Sequence, residues 1–114
     1  MKQDTALTES KRIKVLNDNF RSTFVGGRVL ITAGVAELPV DTKARLLLAI
    51  QSFANFNNEN DPYGEHDFGS IELEGEKYFW KIDTCDRECR YGSEDPSDPS
   101  KTMRVLTIMR ADEY

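Results

Sequence analysis

The chain has 114 residues, of which 39% are apolar, 31% charged and 10% aromatic, enough for one small domain with a core and too few for two. Its apolar runs fall far short of the roughly 20 residues that span a bilayer, and its N-terminus lacks the apolar stretch of a secretion signal, so a cytoplasmic location with no membrane contact is the expectation. Fifteen Lys and Arg against 20 Asp and Glu give a formal charge of −5, which disfavours direct binding to a nucleic-acid backbone.

Residues 1–7 show no periodicity and are expected to form a flexible tail ahead of a single domain over residues 8–114. From Thr8, the residues Ile13, Leu16, Phe20 and Phe24 recur at steps of three and four, which predicts a first helix with one apolar stripe. Thr8 or Ser10 can cap its start. Lys11, Arg12, Lys14 and Arg21 fall between the stripe positions and predict a cationic outer surface. That surface is the one place a nucleic acid could touch, and it lacks interleaved aromatics. Gly26 and Gly27 are expected to end the helix. Arg28 to Thr32 (RVLIT) reads as a short strand buried on both faces. After a turn at AGVAELP, Asp41 can cap a second helix whose face carries Leu46, Leu47, Ile50, Phe53 and Phe56.

NNENDPYGEHD, rich in Asn, Asp, Pro and Gly, reads as a loop. Phe68 to Leu73 and Glu76 to Asp83 flank Glu74-Gly75 and predict a hairpin, with Tyr78, Trp80 and Ile82 on its inward face. A polar loop with paired DPS steps follows. Thr102 to Arg110 (TMRVLTIMR) is expected to be a final, central strand, because its apolar residues leave little alternation. The order α-β-α-β-β-β predicts an α+β fold, two helices packed on a mainly antiparallel sheet of about four strands.

Charge is uneven along this order. Residues 1–56 carry net +3, residues 57–100 carry four Lys and Arg against thirteen Asp and Glu, net −9, and residues 101–114 carry net +1. Acidic side chains spread over strands and loops can occupy a groove built for phosphates. Glu72, Glu74, Glu76, Glu94, Asp95 and Asp98 are the candidates for such an acidic surface, with Tyr63 and Tyr91 as aromatic anchors. The partner expected is a protein with a basic surface. A homodimer stays open, since the final strand could pair between subunits if it lay at an edge.

A second chemistry centres on the single histidine. Glu65, His66 and Asp67, with Asp83 at the hairpin's exit, could ligate a divalent metal or supply a general base, which makes a small metal-dependent hydrolase the alternative reading. The plainer reading has these groups hydrogen-bonding the backbone of a long loop. Cys85 and Cys89, spaced C-x3-C, fit neither a zinc knuckle nor a thioredoxin-type pair and are expected to be free thiols. A zinc site using both is the lesser possibility. No glycine motif for phosphate is present, no cofactor is implied, and an enzyme is disfavoured by the lack of a convincing catalytic set.

The segments RIKVLNDNFR, ITAGV, NDPYGEHDFG, YFWKID, the DPSDP step and the terminal VLTIMRADEY together resemble a small uncharacterised bacterial family, the domain of unknown function 3768, often found on plasmids and phages. The resemblance runs from Arg12 to Tyr114 and implies no activity or catalytic residue. It implies that the loop around His66 and the strand Tyr78 to Asp83 form one signature. With the acidic segment, it leads to the expectation of a non-enzymatic accessory or inhibitor protein of a mobile element. Such a protein would bind a host nucleic-acid-handling or defence complex through its acidic surface, in the manner of an anti-CRISPR or anti-restriction factor, as a nucleic-acid mimic.

Overall fold

The computed structural model describes the backbone of residues 5–114 and side chains from residue 9 onward. Helix α1 spans Thr5–Thr23, strand β1 Gly27–Ile31, the short helix α2 Ala33–Ala36 and helix α3 Val40–Gln51. Strands β2 (Phe68–Leu73), β3 (Glu76–Cys85) and β4 (Met103–Arg110) follow, with single 3-10 turns at Pro99–Lys101 and Ala111–Glu113. Of the expected tail over residues 1–7, residues 5–7 are helical and residues 1–4 lie outside the described residues. Thr8 and Ser10 therefore sit inside α1 instead of capping it.

The fold is α+β, with a four-stranded sheet in the order β1-β4-β3-β2. The sheet is mixed, because β1 pairs with β4 in parallel while β4, β3 and β2 run antiparallel. Apolar runs reveal that a strand is buried but not which way it runs, so the parallel pair was not readable from them. Among the described residues the α-helices number three, since Ala33–Ala36 closes a turn of helix where the sequence suggested only a turn. As expected, β4 is central, lying between β1 and β3. β1 is an edge strand, and Leu30 and Ile31 are 51% and 41% exposed, which corrects the reading of a strand buried on both sides.

Trp80, Leu46, Ile50, Val35, Leu106 and Ile108 are fully buried between the helices and one face of the sheet, with Phe20 and Tyr78 beside them. Tyr78, Trp80 and Ile82 share the inward face of β3, as their alternation requires. The β2–β3 turn has positive φ at both Glu74 (55°) and Gly75 (83°), matching the twist of the strands it joins. α1 ends at Phe24, which takes the left-handed conformation (φ 61°) while its N–H bonds the Phe20 carbonyl. The helix therefore stops two residues before the glycines that were expected to stop it. Gly27 instead serves close packing, because a Cβ there would overlap the Arg104 carbonyl on β4.

Candidate functional site

The sheet has two ends. At one lie the β2–β3 turn, the start of α3 and the C-terminus. At the other lie the loops of residues 57–67 and 86–101, the start of β4 and the end of α3. The expected acidic surface is divided between them. Glu72, Glu74 and Glu76 belong to the hairpin end, and Glu94, Asp95 and Asp98 to the loop end, separated by the roughly 30 Å length of β3.

Two of the hairpin glutamates, Glu74 and Glu76, are internally neutralised. Glu74 meets Arg45 and accepts from the Thr42 hydroxyl, Glu76 pairs with Arg110 at 3.3 Å, and Glu72 lies across from Lys77 in the β2–β3 register. Beside them, Glu113 accepts from the Thr32 hydroxyl (2.5 Å), the Gly34 N–H (2.8 Å) and the Arg110 N–H (2.8 Å). These bonds to the charged form hold its carboxyl below the ordinary range.

The loop end is organised by Asp61, which is buried. One of its oxygens accepts the N–H groups of Glu65 and His66, both at 3.1 Å, closing the turn and holding His66 at a positive φ of 56°. The His66 ring stacks on Phe56 with centroids 3.7 Å apart. Its Nδ1 lies 2.9 Å from Asp18 on α1, and a carboxylate only accepts, so Nδ1 carries the proton. Its Nε2 lies 3.5 Å from Asp61. Asp18 also holds Arg21 at 3.0 Å.

Arg21 was expected on the outer cationic surface but is 5% exposed. Its Nε and Nη2 donate to the carbonyls of Ile50 and Phe53, satisfying oxygens left over at the end of α3, and its guanidinium lies over the Phe56 and Trp80 rings. The buried seam of α1 therefore runs through Ile13, Asn17, Phe20 and Arg21 instead of the purely apolar stripe. Asp18, Arg21, Phe53, Phe56 and His66 line a cleft of about 250 Å³.

A second buried arginine joins the two loops. Arg104, at the start of β4, donates from Nε to the Asn17 side chain (2.7 Å) and from Nη2 to the Pro96 carbonyl (2.6 Å), while Asn17 Nδ2 donates to the Glu65 carbonyl (2.9 Å). Thr102 ties the same strand to the Asp95 carbonyl. Asp95 and Asp98 bond Ser97 and Ser100 and cap their own short turns, which lowers the Asp98 carboxyl. Glu94 is highly exposed, with Lys101 at 3.7 Å. Tyr63 and Tyr91, 79% and 76% exposed, both stand on turns of these loops.

Glu65 and Asp67 form no ion pair among the described residues. The Glu65 carboxyl is raised by burial, then by Asp67 and Asp61, with Arg104 opposing. The Asp67 carboxyl is raised by burial and by Asp61 and Asp83, with its own backbone N–H and His66 opposing. Asp83 reaches the same end, since the Asp67 carbonyl accepts from Ile82 N–H at 2.8 Å. It lies on the opposite face of β3 from Ile82, however, and pairs with Lys81 at 3.0 Å. Among the described residues, no three His, Cys, Asp or Glu side chains converge so as to hold a metal ion. Neither nitrogen of His66 bonds a Ser, Thr or Cys among those residues; both face carboxylates. The geometry is that of a clasp between a loop and a helix.

Cys85 and Cys89 are joined as a disulfide, not free as expected. The turn explains their meeting: Cys89 N–H bonds the Asp86 carbonyl, Cys89 takes a positive φ, and the two Cα atoms come within 4.9 Å. Trp80 Nε1 is buried without a partner, and it packs on Gly69, where a Cβ would overlap the indole nitrogen.

Asn17, Asp18, Arg21 and Arg104 were not among the residues expected to build this site. Polar residues at positions 17 and 21, one helical turn apart beside Ile13 and Phe20, were the available signal.

A family model described as "Protein of unknown function (DUF3768)" matches residues 31–113, so the chain belongs to that family. The match includes the loop around His66 and all of β2, β3 and β4, but not α1, where Asn17, Asp18 and Arg21 lie. Comparison with curated proteins and with solved structures returned no match. Among the described residues, no helix is long and apolar enough to cross a membrane.

Proposed function

We propose that this chain is a non-enzymatic binding protein that docks its acidic loop end on the basic surface of a protein partner. The observation that carries this reading is the convergence of the 57–67 and 86–101 loops on Arg104, which gathers Glu65, Asp67 and Glu94 at one end of the molecule. The nearest cation, Arg104, is engaged by Asn17 and Pro96, so cations supplied by a partner would find carboxylates without an ion-pair partner at Glu65 and Asp67. Exposed Tyr63 and Tyr91 offer apolar contact beside them. Glu72, Glu74 and Glu76 contribute least, because nearby cations already serve them.

The finer reading is an accessory or inhibitor factor of a mobile element. It acts in the cytoplasm on a host nucleic-acid-handling or defence complex and occupies a groove made for phosphates. Its setting comes from the family resemblance and its chemistry from the acidic end. The experiment uses the immobilised chain as bait in host extract, eluted along a salt gradient, with Glu65→Gln/Glu94→Gln as the control bait. The captured partner is expected to leave at moderate salt, to be displaced by duplex DNA, and to be held more weakly by the control. Capture indifferent to salt and to the two substitutions overturns the reading. The hydrolase alternative is decided in parallel by metal analysis and chelator melts of the purified chain: a stoichiometric divalent ion whose removal lowers the melting temperature would restore it.

A further inference from the structure

The sheet has one covered face and one open face. α1 and α3 cover the side that carries Trp80, Ile82, Leu106 and Ile108. Strand alternation puts Leu30, Val105, Thr107, Phe79, Lys81 and Asp83 on the other side, and the registers agree, since Leu30 lies beside Thr107, Thr107 beside Lys81, and Val105 beside Asp83. Among the described residues the C-terminus folds over this side, where Met109 is 3% exposed and Tyr114 rests against Phe68 and Phe79 and stays 75% exposed. Leu30, on the edge strand, is 51% exposed.

Charge decides what can cover this face. Its ionised side chains are the cations Arg28, Lys77 and Lys81 and the carboxylates Glu72 and Asp83, and the Tyr114 carboxylate lies over the same side, so opposite charges balance here in a chain of net −5. Two copies of an acidic chain therefore meet little net repulsion across this face. A nucleic acid would meet Glu72 and Asp83, and a basic protein would meet Arg28 and Lys81. Toward the loop end of this face, Lys81 and Asp83 stand two residues apart on one strand, opposite in sign, 3.0 Å between their charged atoms and 38% and 59% exposed. A plus-minus pair of this kind complements itself under a two-fold rotation: Lys81 of one copy meets Asp83 of the other, and the reverse.

We propose that the open sheet face is a self-association surface, through which two copies of this chain pack face to face around the reciprocal Lys81 and Asp83 contacts. The apolar flank comes from Leu30 on one side and the Phe79–Tyr114 cluster on the other. Completing each charge with an opposite one from the second copy offsets the desolvation that burial imposes on both.

The test is the mass of the full chain by sedimentation equilibrium at low and high protein concentration. The wild-type chain is expected to be a dimer at high concentration. Lys81→Asp and Asp83→Lys, each setting like charges opposite one another twice, are expected to weaken the dimer on the order of tenfold or more. The double variant Lys81→Asp/Asp83→Lys restores opposite charges and is expected to recover it. Leu30→Glu, at a half-exposed position, is expected to give a monomer with an unchanged circular dichroism spectrum. A monomeric wild-type chain overturns the proposal, as does a dimer that both single reversals leave intact or a double variant that fails to recover.

Discussion

At the hairpin end, Glu74 meets Arg45 and Thr42, Glu76 meets Arg110, and Glu113 accepts three hydrogen bonds. At the loop end, Glu65 and Asp67 face Asp61, Asp83 and each other, and the arginine within reach is committed elsewhere. Both ends draw on the same acidic stretch of chain, yet one has its charge complemented and the other keeps it. Net charge counted along a sequence therefore overstates what a partner meets at the hairpin end. The difference arises because α3 and the C-terminus bring cations to one end, while buried Arg21 and Arg104 at the other spend their hydrogen bonds on carbonyls, an amide and Asp18 of α1, none of them on Glu65 or Asp67.

The contrast breaks most severely at Arg21. Arg21→Ala removes the charged donor to the Ile50 and Phe53 carbonyls and leaves Asp18 with His66 alone, and is expected to cost about 3 kcal/mol or more in a urea titration. A loss near that of an exposed surface residue would mean that the clasp contributes little and that loop and helix are held by packing alone.

Acidity should act on Asp67 at the loop end and Glu113 at the hairpin end with opposite sign. The Asp67 carboxyl is raised in the folded chain, so the native state takes up its proton first, and the stability it withholds at pH 7 returns as pH falls through its raised value toward the ordinary 3.8. Asp67→Asn is thus expected to stabilise the chain at pH 7, with the advantage fading in acid. The Glu113 carboxyl is lowered, so its contribution is present above the ordinary 4.5 and is lost as pH falls through the lowered value. Glu113→Gln is expected to destabilise at pH 7, with the deficit fading in acid. Denaturation midpoints of the three proteins across this range decide the matter, and parallel curves for the two variants would erase the distinction between the ends.

The smallest effect expected is at Glu74. Because this carboxylate and Arg45 are about half exposed, Glu74→Gln should change stability by no more than about 1 kcal/mol, diminishing with added salt. A larger change would show that the hairpin end relies on its ion pairs for more than neutralisation.

These outcomes bear on how far a sequence of this kind can be read. The hairpin was legible because alternation, a Glu-Gly pair and aromatic residues on one face all point to the same element. α3 was legible through its broad apolar face, though it stops at Gln51 and leaves Phe53 and Phe56 to pack from the loop. Arg21 was not, because periodicity sorts residues by polarity and cannot see that a guanidinium will meet carbonyls at the end of another helix. β1 was misjudged for a related reason: an apolar pentapeptide has the same composition at an edge as at the centre. Around His66, the sequence pointed to the correct loop but not to its partners, since Asp18 lies 48 residues away on α1.

Trp80 is the only tryptophan in the chain and is fully buried, with the Arg21 guanidinium 5.0 Å from its ring and Phe53 and Phe56 at its edges. An indole in such surroundings has no mobile water to relax its excited state, so its emission lies to the blue of a solvated tryptophan. The chain thus carries its own optical gauge at the point where helix, loop and sheet meet. Loosening of the loop from α1 would register there as a red shift, with no label attached.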